Sequence, residues 1–298
     1  MPSSWDPTDG ALSPSTVIPS DWRLWSESRP LFVRPMTGGL TNRTYLISSG
    51  EALLVLRHNS PLSQSLDLDR ATEAQVLDRA THAGLCAPLV YCDPQHEYLV
   101  TRFIQGQPWH KQRPGAIERL ARLLNRIHAL PPVNSQLGIE QKAENYWPSI
   151  STQADFYSLL ARLRSALSSS IRTVEDYREG SCLCHNDLTK ENLIESTDEK
   201  LIAIDWEYAS MGDHYYDLAA LVEEHQLSPV QQQQLLSSYL QRPLNRDDWR
   251  RLLHWRLIYK YLCVLWHAVQ WSTKKDRTDP GAINTQCQTL LQLIPLSH

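Results

Sequence analysis

Eight consecutive residues, His185-Asn186-Asp187-Leu188-Thr189-Lys190-Glu191-Asn192, set a histidine, an aspartate and an asparagine at the spacing H-x-D-x(4)-N, and an apolar run beyond them ends on Asp205. Phosphoryl transfer from a nucleotide needs such a set. It calls for a carboxylate beside the acceptor hydroxyl and for oxygen ligands to the Mg²⁺ ions that bridge and neutralise the phosphates. In that chemistry Asp187 orients the hydroxyl and accepts its proton late, while Asn192 and Asp205 coordinate metal from neighbouring strand ends. His185 supports the loop rather than touching substrate. Any one of these residues alone reads as a turn cap or a strand end, because Asp and Asn bond readily to nearby backbone. Their joint spacing is what favours chemistry.

The elements that must hold them are legible. Two apolar strand-like stretches, GSCLCHNDL and KLIAIDWEY, are separated by the polar segment ESTDE, which can turn. The rest of the chain beyond Pro114 reads as mainly helical, since ERLARLLNRIHAL, SLLARLRSALSSSI, PVQQQQLLSSYLQ and DDWRRLLHWRLIYKYLCVLWHAVQW carry apolar residues at roughly helical spacing. Between Leu31 and Phe103, the runs LFVRP, RTYLIS, ALLVLR, PLVYC and EYLVTRF are broken by turn-forming clusters and predict an antiparallel sheet. One helix is expected over 68–82, with Gly84 as its stop. The fold class is α+β: a tail over 1–28, an N-terminal lobe over 29–106 and a C-terminal lobe over 107–298, joined where Gly106, Pro108 and Pro114 interrupt regular structure.

Composition narrows the partners. The 298 residues carry 29 Lys+Arg against 33 Asp+Glu, net −4, with no basic block to track a phosphate backbone, so nucleic acid is not an expected partner. The only close cysteine pair among six, Cys182 and Cys184, has no second pair at zinc-finger spacing, and reduced cytoplasmic thiols are expected. The first residues lack the basic and apolar regions of a secretory signal. The stretch 257–269 is interrupted by Lys260 and His267 and is too short to span a bilayer, so no membrane partner is expected. Oligomeric state is not readable.

LCHNDLTKENLI and AIDWEYASMGDHYYDLA, with the lobes around them, resemble the aminoglycoside phosphotransferase and choline kinase superfamily over about residues 31–271. The second segment is most similar to the bacterial choline (ethanolamine) kinase-like and thiamine kinase-like branch. The resemblance implies a protein-kinase-like two-lobed fold. It also implies Asp187 as base, Asn192 as a metal ligand, Asp205 in place of the D-F-G aspartate, and Asp217 as a structural aspartate that buttresses the loop.

The nucleotide side follows. Gly38 and Gly39 between two strands, read alone, are more often an ordinary hairpin turn, but Gly38-Gly39-Leu40-Thr41-Asn42 before Tyr45 resembles the phosphate loop of choline kinase-like enzymes, which reverses that reading. A kinase also needs a strand cation on the phosphates, paired with a helix glutamate; Arg57 and Glu73 are the candidates. The connection 100–104, including Thr101 and Phe103, would carry the adenine. On the acceptor side, late aromatics are by default core, yet Trp266 and Trp271 lie in a segment that resembles the W-x-x-x-Q of choline kinases. With Glu207 and either Glu223 or Glu224, they would cage a cationic alcohol through cation–π attraction and charge. The expected activity is ATP- and Mg²⁺-dependent phosphorylation of a small choline- or ethanolamine-like alcohol. Thiamine kinase, aminoglycoside phosphotransferase and a non-catalytic nucleotide-binding protein of this fold are the alternatives.

Overall fold

A computed structural model of the chain describes residues 17–36, 42–60, 68–177, 180–274 and 279–294. The five β-rich runs form one antiparallel sheet of β1 (Leu31–Pro35), β2 (Arg43–Ser49), β3 (Ala52–His58), β4 (Leu89–Cys92) and β5 (Tyr98–Arg102), in the order β1-β2-β3-β5-β4. Tyr45 pairs with Leu56 and Leu56 with Val100, which fixes the sheet register across its centre. Helix α1 (Arg70–His82) starts on an Asp69 cap that accepts from the Ala71 and Thr72 N–H groups. It ends before Gly84, whose positive φ of 64° is the left-handed turn that glycine adopts at little cost.

The two faces of this sheet are covered differently. Val76, Leu77 and Ala80 of α1 join Leu99 in the main core, whereas Tyr45, Ile47, Leu54, Leu56, Tyr98 and Val100 form a second cluster on the outer face. Val17, fully buried, and Trp25 complete that outer cluster, and Trp25 Nε1 and Asp21 both bond the Tyr98 hydroxyl. Residues 17–28 fall within the segment 1–28 expected to be a tail. The structure corrects this: a few apolar residues there close a sheet face that would otherwise be wet.

Strand β6 (Gly106–Pro108) lies in the junction but pairs with β8 (Leu193–Ser196), which pairs with β9 (Leu201–Ala203). The chain is therefore pinned to the catalytic strands from Gly106 onward. Only glycine fits there, because a Cβ would stand 2.4 Å from the Glu195 carbonyl oxygen. Strand β7 (Cys182–Cys184) pairs with β10 (Ser210–Gly212).

Around these short strands pack α2 (Ala116–His128), α3 (Ile139–Tyr146), α4 (Tyr157–Asp176), α5 (His214–Glu224), α6 (Pro229–Leu240), α7 (Arg246–Lys274) and α8 (Pro280–Leu293). Helix α2 buries Ile117, Leu120, Ala121, Leu124 and Ile127 on one face, the i, i+3, i+4, i+7 pattern of its sequence. Each such leucine or isoleucine contributes about 1.5–3 kcal/mol on burial. Helix α7 has 29 residues, so at 1.5 Å per residue it runs about 43 Å along the lobe. Among the described residues no helix is long and apolar enough to cross a membrane.

Candidate active site

The catalytic loop begins where β7 ends. Asp217, in the first turn of α5 and completely buried, accepts from the backbone N–H groups of His185 and Asn186 (both 2.8 Å) and from His128 Nε2 (3.1 Å). Burial alone would raise its pKa, but these donors more than offset that and hold it below the usual carboxylate value. It thus fixes the loop as an anion clamped by three N–H groups. His185 donates from Nε2 to the Ile204 carbonyl (3.1 Å) and accepts at Nδ1 from the Asp187 N–H (3.3 Å). Burial pushes its pKa down to about 4, so it remains neutral and ties the loop to the strand carrying Asp205.

Asn186 adopts φ 65° and Asp205 φ 61°, a region that non-glycine residues enter at a cost of roughly 1–3 kcal/mol. Asn186 is held there by bonds from Nδ2 to the Tyr208 carbonyl (2.9 Å) and the Ser210 hydroxyl (2.8 Å). The strain aims the loop backbone so that Asp187 and Asn192 face one cavity. Asn192 Nδ2 donates to both the carbonyl and the carboxylate of Asp187 (2.8 Å each). Its Oδ1 accepts no hydrogen bond among the described residues.

Two adjoining cavities meet at Asp205. The first, about 160 Å³, lies between the lobes; Val55, Leu77, Ala87, Leu99 and Ile204 line it, as do Thr101 and Phe103. Arg57 and Glu73 close its inner end: Arg57 pairs with Glu73 at 2.6 Å and with Asp205 at 2.8 Å. The second, about 540 Å³, is lined by the polar groups Asp187, Asn192, Asp205, Glu207 and Glu224 and by the aromatic rings Tyr146, Tyr208, Tyr259 and Trp266. The arrangement offers a flat apolar slot beside a cation, and next to it an acidic, aromatic chamber.

Burial raises the pKa of Asp187 well above its ordinary value, and the neighbouring Asp205, Glu207 and Glu224 carboxylates add to the shift. Asp205 is likewise pushed up, by burial first and Glu207 second, with Arg57 opposing. Such crowding of carboxylates needs a cation to relieve it. The oxygen donors of Asp205, Asn192 and Asp187 suit a hard divalent ion, and the Asp205 side chain, 30 % exposed despite its Arg57 contact, remains reachable from the cavity.

Several expected residues sit elsewhere. Gly38, Gly39 and Thr41 lie outside the described residues. Asn42 borders the second cavity, but its Nδ2 donates to Glu207 (2.7 Å) and its Oδ1 accepts from Ser60 N–H and Arg70 Nη2. It clamps the lobes together. Glu223 points to Arg256 and to Lys260 at 2.6 Å, away from the chamber, whereas Glu224 lines it and accepts from the Tyr259 hydroxyl (2.9 Å). Trp266 lines the chamber with Nε1 on the Tyr208 hydroxyl (3.0 Å), whereas Trp271 packs edge-on against Phe156. Both corrections follow from helix geometry: neighbours diverge by about 100°, and five positions rotate a side chain about 140° from its starting face.

Sequence reasoning missed Arg70, which bridges Glu73 and Glu207 at 2.8 Å each, although its i, i+3 spacing to Glu73 is a usable signal. It also missed Tyr208, three residues past Asp205, and Tyr146 and Lys142, which come from a short helix with no local mark of function.

Comparison with known proteins gives the family. Residues 33–255 match the phosphotransferase enzyme family designated APH. The chain belongs to that family. It is a small-molecule kinase, a phosphotransferase whose acceptor is an alcohol group. Protein LicA of Haemophilus influenzae is 26% identical over 250 residues, covering 80% of this chain and 72% of that protein. The crystal structure of choline kinase LicA from Streptococcus pneumoniae superposes with a TM-score of 0.74 at 23% identity, covering 87% of this chain and 94% of the other. A LicA structure in complex with AMP gives a TM-score of 0.76 at 22% identity, over 91% and 96% of the two chains. The protein-kinase-like arrangement of an antiparallel N-terminal sheet over a helical C-terminal lobe is shared with them.

Proposed function

We propose that this phosphotransferase moves the γ-phosphoryl group of ATP to the hydroxyl of a small cationic alcohol of the choline or ethanolamine type. One observation carries the acceptor class. The ammonium of Lys142 already sits 5.5 Å over the Tyr146 ring and 5.1 Å over the Tyr208 ring, in a chamber that Glu207 and Glu224 make acidic. A place that attracts the protein's own cation through ring faces is suited to a ligand cation of like size.

In the proposed reaction the adenine lies in the apolar slot between the lobes and Arg57, steadied by Glu73, holds the phosphates. Asn192 and Asp205 would hold Mg²⁺, which supplies neutralisation of the phosphate charge. Asp187 orients the acceptor hydroxyl and takes its proton as the bond to phosphorus forms. The raised affinity of Asp187 for a proton suits it to accept one late. Trp266, Tyr146, Tyr208 and Glu224 position the cationic head so that the hydroxyl lies toward Asp187.

The test is an ADP-release assay with Mg²⁺-ATP and choline, ethanolamine, thiamine or kanamycin as acceptor, with Asp187→Ala as blank. Choline or ethanolamine should give the highest kcat/KM. A preference for thiamine or kanamycin would replace the acceptor class, and turnover by Asp187→Ala near that of the parent would remove Asp187 from its role.

A further inference from the structure

Behind the catalytic loop, on the side away from both cavities, three groups with affinity for soft metal ions converge. Cys182 and Cys184 alternate along β7 and so point to the same side of the strand, with their sulfurs 3.8 Å apart. His128, the last residue of α2, brings a ring nitrogen so that all three candidate ligand atoms lie within 4.8 Å of one another. Two thiolates bound to one tetrahedral zinc at about 2.3 Å stand about 3.8 Å apart, so the sulfur pair is already at the separation such an ion requires.

The histidine is prepared as well. Its Nε2 lies 3.1 Å from the ionised Asp217, which can only accept, so the proton is on Nε2. Nδ1 therefore carries a lone pair, and the Tyr239 hydroxyl donates to it at 2.7 Å. A carboxylate fixing one nitrogen of a histidine whose other nitrogen is basic is the usual supporting arrangement around a metal-bound histidine. Binding an ion at Nδ1 requires the Tyr239 side chain to swing its oxygen, 2.7 Å away, out of the lone-pair direction. His128 is 6 % exposed and Cys184 is fully buried, while Cys182 is half-buried and gives solvent a way in.

We propose that His128, Cys182 and Cys184 form a binding site for a thiophilic divalent ion of the zinc class, with water in the fourth position. The sequence spacing does not announce it, because the third ligand comes from a helix more than fifty residues away. The site is linked to the active site by one residue: Asp217 holds both His128 and the two loop N–H groups of His185 and Asn186. An ion that fixes His128 also fixes the orientation of Asp217, and the reading does not depend on which acceptor the enzyme uses.

The experiment uses the full chain, reduced with a phosphine, and titrates it with Co²⁺ alone. One equivalent should bind with the intense visible bands of a tetrahedral site and a sulfur-to-cobalt charge-transfer band, and Zn²⁺ should displace it. Cys182→Ser should lose about half of the charge-transfer intensity and bind at least tenfold more weakly, whereas Cys263→Ser should leave both unchanged. Zn²⁺ should raise the unfolding midpoint of the parent and not of Cys182→Ser. A weak octahedral spectrum without a charge-transfer band, or a band that persists undiminished in Cys182→Ser, would overturn the site. Tight binding that leaves turnover with Mg²⁺-ATP unchanged when the site is filled by one equivalent of Zn²⁺ would overturn its link to the loop.

Discussion

Lys142 offers the sharpest test of the acceptor chamber, because it acts there as a tethered competitor. Its ammonium contacts two ring faces, Tyr146 at 5.5 Å and Tyr208 at 5.1 Å, each worth about 0.5–1 kcal/mol where solvent still has access. A cationic acceptor must displace it from those faces and also approach a like charge. Lys142→Met keeps the length of the stem and removes the charge. Working from the two contacts, acceptor binding should gain about 1–2 kcal/mol, which is about a fivefold to thirtyfold fall in KM. The value of kcat should stay within about twofold, since Lys142 meets the acceptor's cationic head at the ring faces and is not one of the phosphoryl-transfer groups Asp187, Asn192 and Asp205. Steady-state kinetics with varied choline at saturating Mg²⁺-ATP separate the two constants, and Lys142→Arg, which retains the cation, should keep the parental KM. A KM that rises in Lys142→Met would refute the reasoning, because it would mean that Lys142 holds the acceptor rather than competing with it.

Four further outcomes are expected. Glu224→Gln should raise the acceptor KM about fivefold to tenfold while Glu223→Gln leaves it unchanged, and equal effects in the two variants would return Glu223 to the chamber. Asp217→Asn loses the charge in three N–H bonds, each worth about 1.5–3 kcal/mol when the acceptor is ionised, so urea unfolding should show at least about 3 kcal/mol lost together with a sharp fall in kcat. Asp187→Ala should abolish turnover and spare ATP binding measured by calorimetry, as expected for a group that meets the acceptor rather than the nucleotide. His225, whose Nε2 donates to the Leu188 carbonyl beside Trp109, has its pKa pushed by burial to about 4. The unfolded chain protonates this group below its ordinary value of about 6.5 and the folded chain does not, so its stabilising share is full above that pH and shrinks as pH falls toward 4. At pH 5 the loss is about 2 kcal/mol. Asp187 and Asp205, with raised values, carry the opposite sign, so the measurement is the difference between parent and His225→Gln: the variant should lose about 2 kcal/mol less between pH 7 and pH 5.

The comparison between sequence and structure turns on range of interaction. The five strands of the first lobe were readable because alternation, turn residues and β-branched content act within a few residues, and α1 was readable from Asp69 to Gly84 for the same reason. Helices α3, α5 and α8 escaped. Helix α3 is short, and α5 is buried on nearly every side, so it lacks an amphipathic stripe and reads as an extension of the loop before it. Residues 17–28 were read as tail because the partner of Val17 and Trp25, the outer face of the sheet, is visible only after folding.

By itself the sequence determined the chemistry available: a carboxylate, an amide and a second carboxylate at fixed spacing on strand ends, a strand arginine with a helix glutamate, and late aromatics on a helix. Those are properties of short segments, and backbone geometry transmits them locally. Which of two adjacent glutamates faces the acceptor, which tryptophan lines its chamber, and that Lys142 lies over Tyr146 and Tyr208 were decided only by tertiary structure. Each depends on how one helix is rotated and docked against the others, and that rotation is set by the whole packed core rather than by any segment within it.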